Sequence, residues 1–260
     1  DGSTDRTRAI CEALAREHGG RIAYRPGGKN IGIAARTVEA LSRCSARYVA
    51  ICDSDDIWTD PNKLAKQVGF LETHPDHAFS YTDVDIITRE GMHVDADGYQ
   101  GIRSRYAGGW LFAQLVQGNF VNNSTTVARR DLLEGLRPNA CRDELIGDHV
   151  RWIQLAMRGK AHFLPARTTA YRQGGVTGQT AIQQLNRKVM LGMLPGLLRE
   201  HASMRTPTTA AYRAILLRKT AGTMLRTGHL SLIPLLFRYL PAVFPSRSPS
   251  GGGPVDSHDT

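Results

Sequence analysis

The chain has 260 residues, 41% of them hydrophobic and 22% charged, a composition that excludes disorder and collagen and suits one generous domain or a domain with a helical appendage. No apolar run approaches the roughly 18 residues of a single membrane-spanning helix. The net charge of +9 is uneven: residues 1–150 hold 18 Lys+Arg against 21 Asp+Glu, whereas residues 151–260 hold 15 against 3.

Asp1-Gly2-Ser3-Thr4-Asp5 is a polar turn rich in capping side chains. Ile10, Ala13 and Leu14 then fall at i, i+3 and i+4, which predicts a helix ended by Gly19-Gly20. Arg21–Arg25 reads as a short strand, Pro26–Asn30 as a loop and Ile33–Cys44 as a second helix. Tyr48–Cys52 is a continuous apolar run, as a strand covered on both faces requires, and it ends in Asp53-Ser54-Asp55-Asp56. A helix follows over Lys63–His74, and Ala78–Tyr81 reads as the next strand. This alternation predicts an α/β fold with a mostly parallel central sheet. Residues 84–110 are irregular, and helices are expected at Trp110–Gln117, at Leu145–Arg158 and broadly over 180–228. The expected division is an α/β domain over 1–180, a helical region over 181–245 and a disordered tail over 246–260.

The four cysteines form no C-x-x-C pair, which argues against a zinc site and a disulfide framework and for a reducing, cytoplasmic compartment. A basic half this poor in acids suggests an anionic partner, either nucleic acid or an anionic membrane face; a solvated basic surface reads equally well. Interleaved aromatics and nucleic-acid motifs are missing, so the expectation is no nucleic acid. Leu230–Phe244 mixes apolar residues with nearby Arg226 and Arg238, as a peripheral interfacial helix does; a helical hairpin packed on the domain reads equally well.

Three carboxylates at Asp53, Asp55 and Asp56, directly after a buried strand, repel one another unless something offsets the charge. The carboxyl ends of strands in open α/β sheets are where ligands sit. Mg²⁺ or Mn²⁺, which takes oxygen ligands and shares them with substrate phosphates, is the preferred offset; a plain acidic turn is the alternative. Asp1 and Asp5 stand at the end of an earlier strand in this reading, and Asn30, Gly32 and Arg36 occupy a loop entering a helix, where N–H groups and a guanidinium meet an anion. Asp148 opens a helix, a place for an N-cap or for a catalytic base. Trp152, four residues on, is either a wall for a sugar ring or core. Asn122 and Asn123 are candidate acceptor contacts, and Asp83 and Asp85 either line a donor sugar or belong to a turn.

DGSTD at Asp1–Asp5, NIGIAART over 30–37, DSDDIWTDPNKL over 53–64, GDHVRWIQLAMRGKAHFLP over 147–165 and Tyr171-Arg172-Gln173-Gly174-Gly175 together resemble the family 2 glycosyltransferases, in order and spacing. The resemblance covers residues 1–180. It implies a GT-A fold, a nucleoside-diphosphate sugar donor and Mg²⁺ or Mn²⁺ at a DxD motif. By the same resemblance Asp1 lies in the nucleotide pocket, Asp55 is the metal ligand, Asp53 and Asp56 contact ribose or support the metal, and Asp148 is the general base of an inverting transfer. The acceptor implied is a glycan or a lipid-linked sugar in bacterial cell-surface polysaccharide synthesis, on the inner face of the plasma membrane. The family's first strand, first helix and second strand are expected upstream of Asp1. A degenerate member that binds a nucleotide sugar or glycan without turnover is the alternative. Two departures stand out: Thr37 follows Arg36 where Asn is usual, and the histidine expected beside Gly174 is missing.

Overall fold

The computed structural model describes residues 2–28, 30–94, 100–134, 136, 147–173, 180–204 and 210–239. Asp1, Glu144, Gly174, Gly175 and the tail over 246–260 lie outside the described residues. Two helices lead, α1 (Thr7–Glu17) and α2 (Ile33–Ser42). Asp5 accepts the Thr7 N–H at 2.9 Å and so serves one of the free donors at the start of α1. Arg21–Arg25, expected as a strand, pairs with no described strand, and Ile22 within it is exposed. A strand needs a neighbour to satisfy its backbone, and alternation alone does not supply one.

Five strands follow: β1 (Tyr48–Ala50), β2 (Ile57–Trp58), β3 (His77–Ile87), β4 (Val127–Arg129) and β5 (Lys160–Arg172). They form one sheet in the order β1-β4-β3-β5-β2. Only β3 and β5 run parallel; the other three pairings are antiparallel, so the sheet is mixed rather than mostly parallel. An apolar run such as Tyr48–Cys52 reports burial and carries no strand direction. Within β1 only Val49 is buried.

β3 runs well past Tyr81, so Asp83 and Asp85 are strand residues and not a turn. Arg103, in the short helix α4 (Gln100–Arg103), grips both oxygens of Asp83 at 3.1 Å, and Arg167 of β5 meets Asp85 at 3.1 Å. β5 carries two extra residues, Pro165 and Ala166, between the pairs Thr82↔Leu164 and Asp83↔Arg167. A proline without a ladder N–H fits such an irregularity.

Helix α3 (Lys63–Thr73) covers the sheet with Lys63, Gln67 and Leu71, spaced at i, i+4 and i+8 on one face. The main core lies between β3 and the helices α5 (Phe112–Leu115), α7 (Gly147–Arg158), α8 (Thr180–Ser203) and α9 (Ala210–Thr227). Leu194, Leu197 and Leu198 of α8 and Leu216 of α9 join Phe79, Phe112 and Trp152 in it. Gly159 turns the end of α7 into β5 so tightly that a Cβ there would stand 2.9 Å from the Ala78 nitrogen. Helix α6 (Arg130–Glu134) follows β4, and α10 (Ile233–Tyr239) folds back on α9.

Candidate active site

The acidic loop after β1 is held by a second segment far away in sequence. Asp53 donates its backbone N–H to Ser124 Oγ at 2.8 Å, and Asn123 Nδ2 donates to Asp53 Oδ1 at 2.7 Å. Asn123 and Ser124 belong to a 3-10 turn, Asn123–Thr125, capped by Asn122, whose side chain accepts the Ser124 N–H at 2.9 Å. The turn is also gripped from behind. Trp58 Nε1 donates to the Ser124 carbonyl at 2.7 Å, and the Thr125 carbonyl receives Gln67 Nε2 at 2.9 Å and Lys63 Nζ at 3.1 Å. Lys63 is 1% exposed. Its ammonium also donates to Gln67 Oε1 at 2.7 Å and sits 4.9 Å from the Trp58 ring centroid. Burial pulls this lysine down to about 8.

Asp56 is buried, and its Oδ1 accepts the Arg172 backbone N–H at 3.0 Å. Arg172 Nε reaches the Asp55 carbonyl at 2.9 Å, and its Nη1 spans to the Thr88 and Arg89 carbonyls at 3.0 and 2.6 Å. The end of β5 thus fastens the acidic loop to the turn after β3. The Asp55 side chain is exposed beside these two engaged carboxylates.

From the other side comes α7. Asp148 stands in its first turn, where the positive end of the helix favours a carboxylate, and Asn119 Nδ2 donates to Asp148 Oδ2 at 3.1 Å. Arg105 steadies the loop carrying Asn119 through the Gln114 and Gly118 carbonyls at 3.1 and 2.8 Å. One turn along α7, Arg151 is 9% exposed and donates to Asn123 Oδ1 at 3.2 Å. One amide therefore links the acidic loop to the helix of Asp148.

The charges explain why Arg151 is there. Burial pushes Asp53 above the usual carboxylate range; the Asn123 bond opposes the rise, while Asp56, Asp148 and Asp55 add to it. Burial lowers Arg151, and attraction to Asp148 and Asp53 offsets that cost. The guanidinium thus serves two carboxylates from elements remote in sequence. Burial also raises Asp56 against the pull of the nearby Ser124 hydroxyl and the Arg172 N–H. Its Oδ2 is buried with no partner in hydrogen-bond geometry.

Among the described residues no three His, Cys, Asp or Glu side chains are arranged to hold a metal ion alone. A hard divalent cation fits here only in the sharing mode, with one exposed carboxylate, Asp55, and the remaining oxygens from a phosphate ligand and water.

The other expected site residues divide. Asn30 accepts the Gly32 N–H at 2.9 Å, where Gly32 enters α2 with φ +84°, a backbone angle that favours glycine. Asn30 also packs on Gly2, so closely that a Cβ at Gly2 would lie 3.0 Å from its own, which joins the first two sequence motifs. Arg36 pairs with Glu39 at 2.5 Å on α2. Trp152 walls no sugar site; it is core. It is 0% exposed and stacked 5.7 Å from Phe79, because α7 is buried on every side from His149 to Met157. Asn123 is in the site, but its amide is taken by Asp53 and Arg151. Sequence reasoning passed over Ser124, Asn119, Arg151 and Lys63. The visible signal for Arg151 was its i+3 spacing from Asp148, which puts both on one face of α7.

The pattern of glycosyl transferase family 2 matches residues 1–117, the stretch that carries the acidic loop. An uncharacterized protein of Mycobacterium tuberculosis (strain ATCC 25618 / H37Rv) is 38% identical over 181 residues, 66% of this chain and 48% of that protein. A Bacillus subtilis (strain 168) protein named as a teichuronic acid biosynthesis glycosyltransferase, TuaG, is 35% identical over 96 residues, 36% of either chain. The chain spans about half the length of the mycobacterial relative. Among solved structures, Staphylococcus aureus TarS 1–349 in complex with UDP superposes with a TM-score of 0.54 at 14% identity, covering 92% of this chain and 68% of TarS 1–349. The mixed sheet with its flanking helices is thus the GT-A fold.

Proposed function

We propose that the chain is the catalytic region of a metal-dependent, inverting glycosyltransferase that moves a sugar from a nucleoside-diphosphate sugar to a glycan or lipid-linked acceptor in bacterial cell-surface polysaccharide synthesis. The observation that carries this reading is the chain of contacts from Asp53 through Asn123 to Arg151, which ties the acidic loop to the helix that carries Asp148. The family match over residues 1–117 supports a sugar-transfer chemistry, the UDP complex of TarS supports a nucleotide donor, and the name of the Bacillus relative supports surface polysaccharide as the product class.

In this reading Asp53 and Asp56 hold the ribose side of the donor, with Asp1, Asn30 and Arg36 lining the nucleotide pocket. Asp55 holds Mg²⁺ or Mn²⁺, and when bound that ion supplies neutralisation of the departing diphosphate. Asp148 takes the proton of the acceptor hydroxyl as its oxygen attacks the anomeric carbon opposite the diphosphate, which inverts that centre. Asn119 keeps the Asp148 carboxylate aimed, and Arg151 offsets the charge that Asp53 and Asp148 share. The place of action is the cytoplasmic side, at the inner face of the plasma membrane; among the described residues no helix is long and apolar enough to cross it.

Calorimetry with UDP and Mn²⁺ on the Asp55→Ala variant tests the metal role. Loss of the Mn²⁺-dependent part of UDP binding is expected. Undiminished affinity returns Asp53–Asp56 to an acidic turn.

A further inference from the structure

Between Glu200 and Asp256 the sequence holds no acid, yet Arg205, Arg213, Arg218, Lys219, Arg226 and Arg238 fall in the same stretch. In the fold its latter part is α9, a 3-10 turn (Leu230–Leu232) and α10, packed back on α9. The inner side of this hairpin is closed. Leu232 and Tyr239 are buried, and the Tyr239 hydroxyl lies 3.3 Å from His201 Nδ1. The outer side is open: Leu230 is 69% exposed, Ile233 40% and Phe237 71%, at i, i+3 and i+7 along one stripe. Leu225, near the end of α9, is 81% exposed. Arg226 and Arg238 are exposed beside these residues.

Single exposed apolar residues need no explanation, but four large ones within thirteen residues, in a stretch (225–239) whose charged residues are Arg226 and Arg238, do. A second copy of the chain is a poor occupant, because it would bring the same cations face to face. We propose that this hairpin face docks on an anionic lipid surface. Leu225, Leu230, Ile233 and Phe237 enter the boundary between headgroups and acyl chains, while Arg226 and Arg238 lie on the lipid phosphates. Each guanidinium is drawn to the negative surface, and the apolar side chains add burial that salt does not screen. This rests on exposure and charge alone and stands apart from the transferase reading.

Flotation of the full chain with phosphatidylglycerol–phosphatidylcholine vesicles, and with phosphatidylcholine alone, tests it at low and high salt. Binding to the anionic vesicles only, weakened by salt, is expected. The Leu230→Ser/Phe237→Ser pair should reduce that binding at least tenfold with an unchanged thermal melt, since both side chains point away from the core. Arg226→Gln/Arg238→Gln should remove most of the preference for phosphatidylglycerol. No flotation on anionic vesicles, undiminished flotation of the Leu230→Ser/Phe237→Ser variant, or a vesicle-free dimer abolished by Phe237→Ser would each overturn the proposal.

Discussion

Asn123 donates to Asp53 at 2.7 Å across seventy residues of chain. The other end of the same amide accepts from Arg151, so a single side chain ties the acidic loop of β1 to the helix that carries Asp148. Asn123→Ala should therefore act on both halves of the site. A hydrogen bond to a charged group is worth about 1.5–3 kcal/mol, so UDP–Mn²⁺ affinity should fall roughly ten- to a hundredfold. Calorimetry on the variant checks this; unchanged affinity would make the Asn123–Asp53 contact incidental.

Arg151 is a nearly buried cation facing two carboxylates. Arg151→Met removes the charge and keeps much of the bulk. Turnover of the sugar nucleotide should drop about tenfold or more, because Asp53 and Asp148 would then share the cleft without a cation. Arg151→Lys should recover part of the loss, since the charge returns without the planar fork that reaches Asn123. Steady-state kinetics of the three proteins, with equal rates for Met and Lys, would contradict the electrostatic role.

Lys63 offers a pH signature. Its folded-state value is about 8, against 10.5 for a free lysine. Between those values the unfolded chain keeps the proton that the folded chain has released, so stability rises with pH across that window. The full rise is about 3 kcal/mol. Lys63→Met should flatten it, which urea midpoints at a series of pH values would show. The same pH dependence in both proteins would mean that Lys63 is not buried as a cation.

Much of this arrangement was legible beforehand, and the reason differs by element. Helices α2 and α3 end within two residues of the expected Ile33–Cys44 and Lys63–His74, and α1 ends before the expected Gly19-Gly20 stop. Strand pairing was not legible, because β1 and β4 are short and their direction depends on partners remote in sequence. Trp152 stayed open between wall and core for a related reason. A helix spacing shows that two residues share a face, but whether that face meets a cleft or the core depends on what packs there, here Phe79. Asn119 and Ser124 act through contacts 29 and 71 residues away, which no local pattern announces.

Asp83 provides a control on which acids matter. It is held by Arg103 inside β3, with both side chains 16% exposed. Asp83→Asn should cost about 1 kcal/mol of stability and leave sugar-nucleotide turnover within a few-fold of the parent. Melting temperature and rate together check this; a collapse of turnover with an intact melt would bring β3 into the site.

The division of labour between Asp55 and Asp148 is the centre of the account, and Asp148→Asn tests it most directly. Asn keeps the size and can still accept a hydrogen bond from Asn119, so the fold and UDP–Mn²⁺ affinity should stay within a few-fold. It cannot take a proton from the acceptor, so the transfer rate, followed as UDP released with acceptor present, should fall by about a hundredfold or more. Transfer at the parent rate in Asp148→Asn, with donor binding intact, would contradict the assignment and leave Asp148 as a helix-terminal carboxylate.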